Sequence, residues 1–219
     1  MLVKLIAFTP NPDKIAALAA RTCYSGDTIK SIDETLTSDK IKYILNKVIK
    51  SGHHSTLEHV NFTFSIEGVS RVLLAQLTRH RIASFSVRSQ RYVNHENATY
   101  YIPDTLSENF ELKQKYDKCI NDIKDLYKTF TGNNIPIEDA RYILPNSTTT
   151  SLIMTMNARE LLHFFNLRCC KRAQTEIRNL ANIMLRLVKK EAPIIFQNAG
   201  ASCVSGKCTE VKPCKGGTK

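Results

Sequence analysis

Apolar and polar residues alternate from His59 to Gly68: Val60, Phe62, Phe64 and Ile66 fall on one side, and Asn61, Thr63 and Ser65 on the other. A period of two predicts a half-buried strand in an antiparallel sheet. Residues 2–9 and the β-former-rich run Ser147–Met156 predict two more strands. Between the strands the period changes. Ile41, Ile44, Leu45, Val48 and Ile49 make a helical face that Gly52 stops. Asn11–Tyr24 predicts a short helix with Pro12 near its first turn. Val69–His80 predicts another, with Leu73 and Leu77 on its apolar stripe and Val72, Gln76 and Arg79 on one face.

Further along, Ser107–Gly132 predicts a long charged helix and Pro136–Pro145 a short one. Asn157 is a good N-cap for Ala158–Arg168, with Glu160 three residues on as in a capping box. Residues 174–190 place Ile177, Leu180, Ala181, Met184, Leu187 and Val188 on one side of a last helix. Residues 82–102 mix loop and strand. After Pro193 the composition turns small, polar and basic, and residues 201–219 are expected to form a tail with little structure. Separated strands and helices, without strict β-α-β alternation, predict an α+β fold: an antiparallel or mixed sheet flanked by helices, in one domain over residues 1–200.

A length of 219 residues is enough to bury a real core, and the net charge of +11 points to anionic partners. No stretch of about 18 apolar residues exists to cross a membrane, and the start lacks a cleavage site, so a cytoplasmic location is expected. The seven cysteines are odd in number, and no disulfide framework is expected.

Candidate chemistry concentrates in RHRIASFSVRSQRY, residues 79–92, where Arg79, Arg81, Arg88 and Arg91 stand among serines with no acid. A guanidinium fork matches phosphate bidentately. No glycine-rich phosphate loop is present, and Ser89 lacks a hydrolase elbow. His53, His54, Glu58 and His59 cluster without zincin spacing and read as a turn of hydrogen-bonded histidines rather than a metal site. Cys203, Cys208 and Cys214 lack an evident fourth ligand. Cys169 and Cys170 lie beside Arg168, Lys171 and Arg172, which leaves a thiolate nucleophile conceivable. Arg168 ends a helix with Leu161, Phe164 and Phe165 on its stripe; taken alone it reads as a cap on that helix's carbonyls, with a pocket role as the alternative.

The run Arg79-His80-Arg81, seven residues, Ser89 resembles the signature of flavin-dependent thymidylate synthases. GHHSTLEH, ARYILP and NARELLHFFNLRCCKRAQTEIR resemble further conserved blocks, and the likeness spans roughly residues 1–200. The resemblance implies reductive methylation of dUMP to dTMP. Methylenetetrahydrofolate would give the carbon, NADPH the electrons and FAD the hydride relay, with no enzyme nucleophile. It also implies a homotetramer with shared active sites, and no role for metal, membrane or nucleic acid. By the same resemblance, Ser55, Glu58, Arg79, His80, Arg81, Asn157, Arg159 and His163 match FAD-contacting positions. Gln76, Arg79, Val87, Arg88, Ser89, Gln90, Arg91, Arg141 and Arg168 match dUMP-contacting positions. Arg168 resembles the arginine thought to favour ionisation of the uracil ring, the catalytic role here.

Two positions depart from the pattern. Val87 stands where relatives often carry Glu or Gln, so only its backbone could meet a ligand; His163 stands where some carry Asn. Two other readings share the same residues. A nucleic-acid binder would use the basic surplus, although the phenylalanines of FTFSIE share the apolar face. A metal hydrolase would use His53, His54, Glu58 and His59.

Overall fold

The computed structural model describes residues 1–206, 208 and 211–214. In chain order the strands and helices are β1 (Leu2–Phe8), α1 (Pro12–Thr22), α2 (Ile29–Thr35), α3 (Ser38–Ser51), β2 (Asn61–Ser70), α4 (Arg71–Leu77), β3 (Ala83–Val87), α5 (Asp104–Ser107), α6 (Phe110–Gly132), α7 (Ile137–Ala140), β4 (Thr149–Asn157), α8 (Ala158–Arg168), α9 (Thr175–Glu191) and α10 (Ser202–Ser205). Short 3-10 segments cover His54–His59 and Arg141–Ile143. The strands form one antiparallel sheet in the order β1-β2-β4-β3. The expected α+β class is therefore met, with an antiparallel sheet rather than a mixed one.

The register explains the core. Phe62, Phe64 and Ile66 pair with Met156, Met154 and Leu152, and all six are buried. On β3, Ala83, Phe85 and Val87 pair with the same three β4 residues and so share the inner face. Helices α4, α8 and α9 cover that face with Leu73, Leu77, Leu161, Phe164, Phe165, Ile177, Leu180 and Met184. The opposite face carries polar pairs, such as the Thr63–Thr155 hydroxyl contact at 2.9 Å.

Several sequence expectations are corrected. The helix expected from Val69 begins at Arg71, because the strand continues through a bulge between Glu67 and Val69. Gly68 sits there at φ 68°, with the Met1 backbone nitrogen 3.5 Å from where a Cβ would stand. The Ser70 hydroxyl then accepts from the Leu73 amide and starts α4. This helix ends at Leu77, so Arg79 falls beyond it and not on a helical face with Gln76. Helix α2 was not legible as such; the Thr28 side chain caps it.

Pro193 does not close the core. Ile195 and Phe196 are fully buried, and the Ile194 and Ile195 amides each donate to the Asp13 carboxylate at 3.0 Å. Beyond the expected boundary, Ala201 is buried and α10 follows. The tail positions 207, 209, 210 and 215–219 lie outside the described residues.

Candidate active site

A cleft of about 1200 Å³ opens where the 3-10 segment His54–His59, the start of α8 and residues 195–200 meet. Glu58, Asn157, Arg159 and His163 line it, joined by Lys50 and His54. At its edge Asn157 caps α8 through its side chain, accepting from the Glu160 amide at 2.9 Å. Arg159 on the exposed side of that first turn pairs with Glu58 at 2.5 Å. His54 has a long contact, 3.4 Å, from Nε2 to the Ile49 carbonyl at the end of α3.

The capping box is only half made. The Glu160 carboxylate meets His80 Nδ1 at 3.0 Å. On the far side of the ring, Arg168 Nε donates to His80 Nε2 at 3.1 Å. A nitrogen that accepts from a guanidinium carries no proton, so Nδ1 holds the hydrogen and donates it to Glu160. His80 is thus a neutral imidazole, 4% exposed, with Phe164 edge-on at 5.0 Å. Burial pushes its pKa below 6.5; the bond to Glu160 opposes this, and Arg168 reinforces it.

Arg168 does not cap its own helix. Its Nη2 donates to the Gln76 carbonyl, an acceptor in the last turn of α4, at 3.3 Å. Burial, followed by the nearby Arg79, lowers its pKa from the ordinary arginine value.

A second cationic group sits at the other end of β3. The Arg91 guanidinium meets the Glu138 carboxylate at 2.8 Å, and Arg141 Nε donates to the Glu138 carbonyl at 2.9 Å. Ser89 Oγ accepts from the Arg91 amide at 3.0 Å. The Arg88 amide donates to the Ser151 carbonyl, and its own carbonyl accepts from Arg71 Nη2. Among the described residues, Arg79, Arg81 and Arg88 have no carboxylate partner, and all three are exposed. Val87 packs partly buried against the core, which leaves its backbone for contacts.

Other sequence candidates fall elsewhere. The one group of metal-ligating side chains within reach of one another, among the described residues, is His80, Glu160 and His163, not the His53–His59 cluster. His80 already has a partner on both nitrogens. The Cys169 thiol is pushed up to about 11 by burial, which outweighs the opposing pull of Lys189. Phe62 and Phe64 are fully buried, so β2 offers no aromatic platform for bases. No helix among the described residues is long and apolar enough to cross a membrane.

Residues 4–194 match the family described as Thymidylate synthase complementing protein. The flavin-dependent thymidylate synthase of Geobacter sulfurreducens is 46% identical over 212 residues, covering 96% of this chain and 91% of that protein. The flavin-dependent thymidylate synthases of Clostridium tetani and Pyrococcus abyssi are 47% and 42% identical over 95% of this chain, covering 90% and 89% of those proteins. This chain belongs to the flavin-dependent thymidylate synthase family, a family of enzymes.

In this family member, three residues absent from the sequence reading of the site shape its walls. By sequence alone Glu160 reads only as a cap. Glu138 joins Arg91 to Arg141. Arg71 reaches the Arg88 carbonyl from the start of α4. An acid three places after an N-cap was the visible signal for Glu160; its turn toward His80 needed the tertiary contact. Glu138 and Arg71 gave no local signal.

Proposed function

We propose that this enzyme converts dUMP to dTMP, taking the carbon from methylenetetrahydrofolate and electrons from NADPH through bound FAD. The observation that carries this reading is Arg168, a desolvated guanidinium held by His80 and the Gln76 carbonyl with the Arg79 charge nearby. A fixed cation next to a uracil carbonyl stabilises negative charge as it develops on the ring, and it needs no reorganisation at that moment. The C5 carbon then becomes nucleophilic without an attacking enzyme thiol. Cys169 agrees, since a pKa of about 11 leaves roughly one thiol in ten thousand ionised at pH 7.

The cleft beside α8 fits a flavin dinucleotide in size and in donors. Arg159, Lys50, His54 and His163 offer cations and N–H groups for a pyrophosphate, and Asn157 offers a smaller polar contact; Ser55 follows His54 in the same 3-10 segment. Bound FAD supplies hydride transfer. Arg79 and Arg81, exposed and without carboxylate partners among the described residues, flank His80 and complete the surface for anionic ligands.

Gln76, Arg79 and Arg168 serve the uracil end of dUMP. Arg88, Ser89, Gln90, Arg91 and Arg141 serve the phosphate end, with Val87 offering its backbone. These two groups flank β3, a strand of five residues, and Arg71 at the start of α4 ties them through the Arg88 carbonyl. A homotetramer with shared active sites belongs to the same reading. The absence of a membrane-spanning helix among the described residues is compatible with a cytoplasmic enzyme.

The experiment is an absorption spectrum of the purified protein before and after dUMP, followed by a dTMP assay with methylenetetrahydrofolate and NADPH. An oxidised-flavin spectrum that moves with dUMP, with dTMP as product, is the expected outcome. A protein that takes up no FAD removes the reading.

A further inference from the structure

We infer that Glu160 is a positioning residue for Arg168, acting through His80: its carboxylate fixes the Nδ1–H tautomer, so that Nε2 is free to accept from the arginine. The geometry is a continuous relay. Glu160 meets Nδ1 at 3.0 Å, and Nε2 meets Arg168 Nε at 3.1 Å. Glu160 and His80 are 7% and 4% exposed, so water does not compete for either bond. Both ends stand on one rigid element, since Glu160 lies in the first turn of α8 and Arg168 at its last residue. His80 comes from the turn after α4 and bridges that helix from outside.

The logic is one of tautomers. A free imidazole places its proton on either nitrogen with little preference. With the proton on Nε2, two donors would face each other and the guanidinium would swing away. A buried carboxylate beside Nδ1 removes that alternative. The second bond of Arg168, to the Gln76 carbonyl, fixes the rotation about its long axis. The planar group therefore presents its remaining N–H donors in a single direction.

Other charges around the ring act against protonation. Arg168 and His163 from α8 both disfavour the imidazolium, as does burial against Phe164; only Glu160 favours it. Protonated His80 would carry a hydrogen on Nε2 and could not accept from Arg168. Turnover should therefore have an acid limb that follows His80. Removing the Glu160 charge takes away the one stabilising partner of the imidazolium and moves that limb to lower pH.

This inference rests on the proposed role of Arg168 at the uracil, and its test separates the two. Nitrogen-15 histidine NMR of the full-length protein, with His80 assigned by its loss in His80→Asn, reads the tautomer without turnover. We expect Nδ1 protonated and Nε2 bare at neutral pH. A proton on Nε2 would overturn the relay. The pH profile of kcat is then compared with Glu160→Gln, which keeps the shape. The acid limb should move to lower pH, while Glu160→Ala should lose about tenfold to a hundredfold in kcat with flavin still bound. An unmoved limb in Glu160→Gln would reduce Glu160 to a cap and sink the proposal. Should Glu160→Gln not fold, the tautomer alone decides. A correct tautomer in a protein that makes no dTMP would leave the relay standing and remove the functional reading instead.

Discussion

Glu176 holds Ser70 twice: its carboxylate accepts from the Ser70 amide at 2.7 Å and from the hydroxyl at 2.5 Å. Both residues are about 1% exposed. The pair pins the first turn of α9 to the point where β2 becomes α4, and α4 leads directly to Gln76, Arg79 and His80. Its loss should therefore reach the site as well as the fold. Glu176→Ala should cost about 2–4 kcal/mol, because two buried donors are left unpaired. Chemical denaturation with a two-state fit measures it. A loss below about 1 kcal/mol would show that water replaces the carboxylate.

Arg168→Ala should lower turnover by at least about a hundredfold while flavin stays bound. The side chain touches His80 and the α4 carbonyl, not the cleft-lining residues beside Arg159. Product formation and the flavin spectrum, measured on the same sample, separate the two effects. Normal turnover in this variant would dismiss the role given to the arginine.

Cys169→Ser and Cys170→Ser should each keep substantial activity. With its pKa at about 11, the Cys169 thiol should resist alkylation near neutral pH. The exposed Cys23 and Cys119 should react first. Peptide mapping after brief alkylation gives the order, and early modification of Cys169 would contradict the burial argument.

His95 makes stability depend on pH. It is 6% exposed, and burial, then Arg71 and Arg88, lower its pKa below 6.5. The unfolded chain binds this proton more readily, so stability rises with pH across this range. The contribution is full above about pH 6.5 and is lost as pH falls below it, until the folded-state pKa is reached. His80 has the same sign. Denaturation midpoints taken between about pH 5 and 8 should fall on the acid side. His95→Gln should flatten that fall, and an unchanged slope would assign it to other groups.

Strands β1, β2 and β4, the longer helices and the main core are legible in the chain, most of them because each carries a period. Phe62, Phe64 and Ile66 announce β2, and Ile177, Leu180, Ala181 and Met184 announce α9. The elements misread were those whose ends depend on partners. Val69 and Ser70 look helical until β4 offers a ladder across the Gly68 bulge. The stretch after Pro193 carries no period that announces Ile195 and Phe196 as core, and Asp13, which accepts from their segment, lies far away in the sequence. In the site, single residues such as Arg168 were visible by type and by resemblance. Their contacts were not, since Arg168 and His80 are 88 residues apart and Arg91 and Glu138 are 47 apart.

Phe196 stands edge-on to Phe62 at 5.6 Å and to Phe165 at 5.9 Å, late in the chain yet at its centre. A ribosome makes Phe62 long before Phe196 exists. Until that residue has left the exit tunnel, β2 and α8 have no lid for their aromatic faces. The three-ring cluster can therefore be complete only after synthesis has passed residue 196. Folding of this enzyme is in that sense a late event, timed by the arrival of one phenylalanine.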